Sequence, residues 1–218
     1  MKKVAVILSG CGVFDGAEIQ ESVITLLAID RAGAEARCFA PDVAQMHVVN
    51  HADGKVAEGA RRNVLEESAR IARGDIAELA ALRVDEVDAI VLPGGFGAAK
   101  NLCDFATAGA EMTVNPVLAR LLTEAHDAGK PIGFACIAPV IAAKVFGAHG
   151  VQVTIGNDRD TAAAIEAMGA RHVECPVEAV VADRSRKIFS TPAYMLGPTI
   201  RHVAAGIEKL VADVLAAA

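Results

Sequence analysis

Three stretches of the chain, Val4–Leu8, Asp88–Leu92 and the first half of Pro131–Val140, are short and almost wholly apolar. Each runs into a turn of small residues and then into a helix-length segment. Apolar runs of this length bounded by turn signals read as strands buried on both faces. Alternated with helices, they require a mostly parallel sheet covered on both sides. The remaining pattern fits that frame. Glu35–Ala40 and Gln152–Ile155 read as further strands. Val48–His51 reads as a small hairpin turning on Asp53-Gly54, and Val177–Val181 with Lys187–Ser190 as an antiparallel hairpin. Helices are predicted over 17–32, 61–73, 76–82, from Asn115-Pro116 to His126, over 159–168 and over 198–215. In the first of them Ile19, Val23, Leu26 and Leu27 follow helical spacing.

At 218 residues the chain is sized for one domain, 1–218, that buries its core without disulfides or metals. A net charge of −6 and no Lys/Arg run argue against a nucleic-acid partner. The five cysteines (Cys11, Cys38, Cys103, Cys136, Cys175) are scattered and form no C-x-x-C pair, so no zinc site is implied. The apolar part of the N-terminus is too short for a signal peptide, and no run approaches membrane length. A soluble cytoplasmic protein is the expectation.

Cys136 falls where the third apolar strand turns into a helix that opens with Pro139. A side chain there stands at the carboxyl edge of the sheet, before a helix N-terminus that favours a thiolate. This is a nucleophile elbow with Cys in the Ser position, although a Cys in an apolar run is also an ordinary small core residue. Gly94-Gly95, after the second strand, offers unobstructed N–H groups that join that of Ile137 in an oxyanion hole; the alternative is a turn needing positive φ. Glu18, at the start of the first helix, is either a helix-dipole partner or, desolvated beside the thiol, its general base. Glu21 and Asp15 are weaker candidates of the same kind. Cys11 is placed in a loop that can reach the same crevice, and His149 is the one histidine near the elbow helix. A competing reading takes Gly10, Gly12 and Gly16 as a phosphate loop with Asp42 as a ribose-binding acid. Against it, Asp15 and Glu18 set negative charge where a pyrophosphate would lie.

Val91-Leu92-Pro93-Gly94-Gly95, Ala135-Cys136-Ile137-Ala138-Pro139 and Gly16-Ala17-Glu18 together resemble the PfpI/DJ-type branch of the class I glutamine amidotransferase-like superfamily. Gly94 through Asn101-Leu102 and Thr191-Pro192-Ala193-Tyr194 are similar to the ElbB-type glyoxalases and their mitochondrial relatives within it. The resemblance spans essentially the whole chain. It implies a flavodoxin-like α/β three-layer sandwich and a homodimer. It also implies a cofactor-independent, glutathione-independent glyoxalase, with no metal, that takes glyoxal to glycolate through a Cys136 hemithioacetal. Cys136 and Glu18 are then catalytic, Gly94, Gly95 and Ile137 bind the oxyanion, and Cys11 and Asn101 are pocket candidates. One departure stands out. Where the wider family has a histidine after the next strand, this chain has Gly156, so a Cys–His hydrolase is disfavoured. A non-enzymatic redox sensor using the same thiol is the alternative from another class.

Overall fold

The computed structural model describes residues 1–218. Its centre is a seven-stranded sheet of β1 (Lys3–Ile7), β2 (Glu35–Ala40), β5 (Ile76–Glu78), β6 (Ala89–Leu92), β7 (Ile132–Ala135), β10 (Val181–Asp183) and β11 (Ile188–Thr191). The spatial order is β10-β11-β7-β6-β1-β2-β5. Every pair is parallel except β10 with β11. Helices α1 (Ile19–Arg31), α2 (Val64–Ile71), α3 (Phe96–Lys100), α4 (Phe105–Ala108), α5 (Pro116–Asp127), α6 (Pro139–Phe146), α7 (Arg159–Ala167) and α8 (Ile200–Ala217) complete the α/β sandwich. Two small sheets lie outside it: the hairpin β3 (Val49–Asn50)/β4 (Lys55–Val56), and the parallel pair β8 (Gln152–Val153)/β9 (Arg171–His172). The strands β6 and β7 and most of β1 are fully buried, as their unbroken apolar sequences require.

The chain passes from β1 outward to β2 on one side and to β6 and β7 on the other, which makes a topological switch point at β1/β6. The loops that follow these strands are stitched together at the carboxyl edge. Glu18 N donates to Gly94 O (2.9 Å), Phe96 N to Val13 O (2.8 Å) and Gly97 N to Gly16 O (2.8 Å).

Four elements differ from the sequence reading. The segment predicted as a helix from Ile76 is the edge strand β5 followed by a 3-10 turn, because pairing with β2 outweighs the helical spacing of Ile76, Leu79 and Leu82. The last hairpin's first strand is Val181–Asp183, later than 177–181, and β9 carried no apolar signal. On α1 the apolar stripe points outward. Ile19, Val23 and Leu27 are exposed, and the inward face is Glu21, Ser22, Ile24, Thr25, Ala28 and Ile29. Ser22 and Thr25 donate back to the Glu18 and Glu21 carbonyls (2.7 and 2.8 Å), so their hydroxyls are buried at little cost.

Candidate active site

The elbow is real and strained. Cys136 has φ +59°, one of four non-glycine residues with positive φ in the chain, and such a conformation costs about 1–3 kcal/mol. It is held by Cys136 N donating to Thr191 O (3.0 Å) and Ala138 N to Ala135 O (3.0 Å), with Pro139 opening α6. Gly94 is required opposite it, since a Cβ there would stand 2.3 Å from Cys136 Cβ. The sulfur is buried, with the N–H groups of Gly95 and Ile137 and the carboxyl of Glu21 close enough to shift its pKa.

Glu21, in the first turn of α1, is fully buried under the elbow. Gly94 N donates to its Oε2 (2.9 Å) and Tyr194 N to its Oε1 (3.1 Å). Burial pushes its pKa up to about 7, with repulsion from Glu18 adding to the rise and the N–H donors opposing it. The Cys136 thiol is also pushed up, first by burial and then by the charge on Glu21, while the Gly95 and Ile137 N–H groups pull the other way. The lowering expected from a helix N-terminus is therefore outweighed by desolvation. Of the two the thiol is the weaker acid, so a proton shared between them rests on the sulfur, with the Glu21 carboxyl as the acceptor beside it.

This redistributes the roles assigned from sequence. Glu18 is the N-cap of α1: its Oε2 accepts from Glu21 N (2.6 Å), and its hydrogen bonds are with the helix, not the thiol. Its own pKa is raised by burial. The Gly94 N–H is taken by Glu21, which leaves Gly95 and Ile137 as the donors free to meet an oxyanion. Asn101 is a clamp that does not line the cavity. It donates to Ser9 O (2.8 Å) and Asp15 O (2.9 Å) and accepts from Met46 N (3.0 Å), tying the first loop to the β3/β4 elaboration. Cys11 lies toward Glu67 and Arg70, Asp15 accepts from Val49 N (2.7 Å), and His149 stacks near His126. None of these lines the crevice around Cys136.

The phosphate-loop alternative loses its geometry. The loop closes on itself through Gly12 N to Ala17 O (2.8 Å) and Gly16 N to Gly12 O (2.7 Å), the helix N-terminus is already capped by a carboxylate, and Asp42 accepts from Asn63 Nδ2 (2.7 Å). At Gly156 (φ +92°) a Cβ would come within 2.6 Å of Leu196 Cγ, so Leu196 fills the space a histidine would enter.

A cavity of about 510 Å³ opens over Cys136 and Ile137. Phe96, Phe105, Tyr194 and Met195 wall it, and Lys100 and Asp158 stand among its few polar residues. A wider depression of about 700 Å³, among Arg83, Asp85, Arg120 and Lys130, holds no nucleophile. No group of three or more His, Cys, Asp and Glu side chains is placed to hold a metal ion.

No family model matches the chain. It is 49% identical to a human protein named glutamine amidotransferase-like class 1 domain-containing protein 3, mitochondrial, over 98% of this chain and 82% of that one. The rat mitochondrial ES1 protein homolog is 48% identical over 98% of this chain and 83% of its own length. The chain belongs to the ES1-type class I glutamine amidotransferase-like family. Among solved structures, an isoprenoid biosynthesis protein with an amidotransferase-like domain from Ehrlichia chaffeensis superposes with a TM-score of 0.91 at 38% identity, covering 98% of this chain and 99% of that one. The fold of this ES1-type chain is thus the flavodoxin-like fold of the DJ-1/PfpI superfamily. Glyoxalase III from Candida albicans shares it at a TM-score of 0.62 and 15% identity, over 99% of this chain and 97% of that one. No helix is long and apolar enough to cross a membrane.

Proposed function

We propose that this protein is a glyoxalase that needs no added cofactor and converts glyoxal, and other small 2-oxoaldehydes, to the 2-hydroxy acid. The observation that carries this reading is Cys136 facing a cavity with the buried Glu21 carboxyl beside it and the Gly95 and Ile137 N–H groups next to the sulfur. The fold hosts such chemistry elsewhere, as the name of the Candida protein indicates.

In the proposed route the Glu21 carboxylate takes the Cys136 proton as the sulfur attacks one aldehyde carbon. The C–S bond forms, and the carbonyl oxygen, held by the Gly95 and Ile137 N–H groups, takes the proton from Glu21. The hemithioacetal carbon then loses its proton to the Glu21 carboxylate, giving an enediolate whose oxygen on the neighbouring carbon takes the proton of the hemithioacetal hydroxyl. Return of a proton to the neighbouring carbon leaves a thioester of glycolate. Water cleaves it, releasing glycolate and restoring the thiol. One carbon is oxidised and the other reduced, so no external redox partner enters. A pKa near 7 suits a group that must give and take a proton in alternate steps. Glu18 caps the helix that presents Glu21 and helps keep its pKa high.

Glycolate formation from glyoxal, without added thiol or metal, tests the reading. Wild type should turn over, and Cys136→Ala and Glu21→Gln should each lose at least ~100-fold in kcat/KM. Turnover undiminished in Cys136→Ala would end it. Peroxide-dependent modification of Cys136 with no turnover would favour the redox-sensor reading, for which the same N–H groups would hold a sulfinate.

We further propose a homodimer formed through the outward stripe of α1, where Ile19, Val23 and Leu27 are 44%, 47% and 41% exposed. A cytoplasmic location is part of the same proposal, to be tested by cell fractionation, since the human and rat relatives are named as mitochondrial.

A further inference from the structure

Glyoxal has four heavy atoms, whereas a cavity of about 510 Å³ falls in the ~300–1,000 Å³ range of sites that enclose drug-sized ligands. Nine of its thirteen lining residues are hydrophobic. Two phenyl rings, Phe96 on α3 and Phe105 on α4, lie on the wall beyond the reacting centre, and such surface gains nothing from a substrate that stops at two carbons.

One cation belongs to this wall. Lys100, one turn after Phe96, is partly buried, and its Nζ sits 5.3 Å from the Phe96 ring centroid. It donates one hydrogen bond, to Phe14 O (2.8 Å), and forms none of the chain's ion pairs. An ammonium has three donors, so Lys100 has capacity left for an incoming anion. Burial lowers its pKa, against the pull of Asp15, which means its charge is only partly compensated by water and protein. The other charged residue lining the cavity, Asp158, is exposed, and its carboxylate is engaged by Thr161 N (2.8 Å).

We infer that the site takes a 2-oxoaldehyde whose carbonyl bears an apolar, ring-sized arm ending in a carboxylate, the arm lying against Phe96 and Phe105 and the carboxylate meeting Lys100. For the reacting group this rests on the glyoxalase reading; for the arm and the anion it rests on the cavity wall alone. Recognition of this kind separates larger acidic oxoaldehydes from glyoxal by binding, at a distance from the carbon that reacts.

The test reads binding apart from turnover. Alkylation of Cys136 by iodoacetamide is followed by peptide mass while 4-formylbenzoate, or its neutral methyl ester, competes as a reversible hemithioacetal. In the wild type the carboxylate should half-protect at a concentration about tenfold below the ester, the effect of one charge-assisted contact at a partly exposed site. Lys100→Met should bring the two to parity, and Lys100→Arg should keep the preference. Protection of Lys100→Met by the ester reports that its pocket is intact. Equal protection in the wild type, or a preference that survives Lys100→Met, overturns the inference. If the preference holds but no 2-oxoaldehyde is turned over in the glycolate assay, the glyoxalase reading falls and the assignment of the wall stands.

Discussion

Glu21 gives the sharpest test of the site, because its effect on stability can be worked from its surroundings. In the unfolded chain the carboxyl titrates near 4.5; under the elbow it titrates near 7. Between those values the folded protein binds more protons than the unfolded one, so stability is greatest below pH 4.5 and falls as pH rises through 7. At 1.36 kcal/mol per pH unit, the part lost between pH 5 and pH 8 is about 2–3 kcal/mol. Glu21→Gln abolishes that dependence. It also turns an amide N–H₂ toward Gly94 N or Tyr194 N, both of which are donors, and one unmet donor of this kind costs about 1–3 kcal/mol at every pH. Urea unfolding of both proteins at pH 5 and pH 8 is the assay. The variant should be clearly less stable at pH 5 and about level with the wild type at pH 8. Parallel pH dependences in the two proteins would mean that the carboxyl is not held near 7, and the proton-sharing pair would be refuted with it.

Gly95→Ala should be severely destabilising, by more than about 3 kcal/mol in urea unfolding, because φ is +92° and the new Cβ would meet Glu18 N at 2.3 Å and Gly16 O at 2.4 Å. Asn101→Ala should lower Tm through the loss of two buried hydrogen bonds and one part-buried one, about 2–3 kcal/mol in all, yet keep Cys136 alkylation kinetics near wild type at low temperature; slowed alkylation there would put Asn101 back in the pocket. Val23→Glu should leave a folded monomer by sedimentation velocity if α1 forms the dimer contact, and an unchanged dimer would assign that contact elsewhere.

The parts of this architecture legible in sequence were those fixed by local chemistry. Fully apolar β1, β6 and β7, each running into a small-residue turn, announced both the sheet and the elbow, and Asn115-Pro116 announced a helix start that the Asn115 side chain indeed caps. The identity of the acid was harder, since Glu18 and Glu21 lie three residues apart, within one turn of the same helix. What separates them is the cap. A carboxylate at the N-cap is consumed by the helix's own N–H groups, whereas Glu21 shares spacing with Ile24 and Ala28 and is turned inward with them. The outward set Ile19, Val23 and Leu27 masked that signal by offering a more hydrophobic stripe. Edge strand β5 and strand β9 were hidden for another reason: they are only three and two residues long and carry no apolar run.

The two oxygens of Glu21 receive N–H groups from residues 73 and 173 positions away, one after β6 and one after β11. The reactive centre is therefore not assembled by local structure, since neither donor is in place until the strands that carry it have docked. Until then Cys136 is an ordinary thiol and Glu21 an ordinary acid. The surroundings that raise both pKa values are built only by that docking, and the alkylation rate of this one sulfur reports whether it has happened.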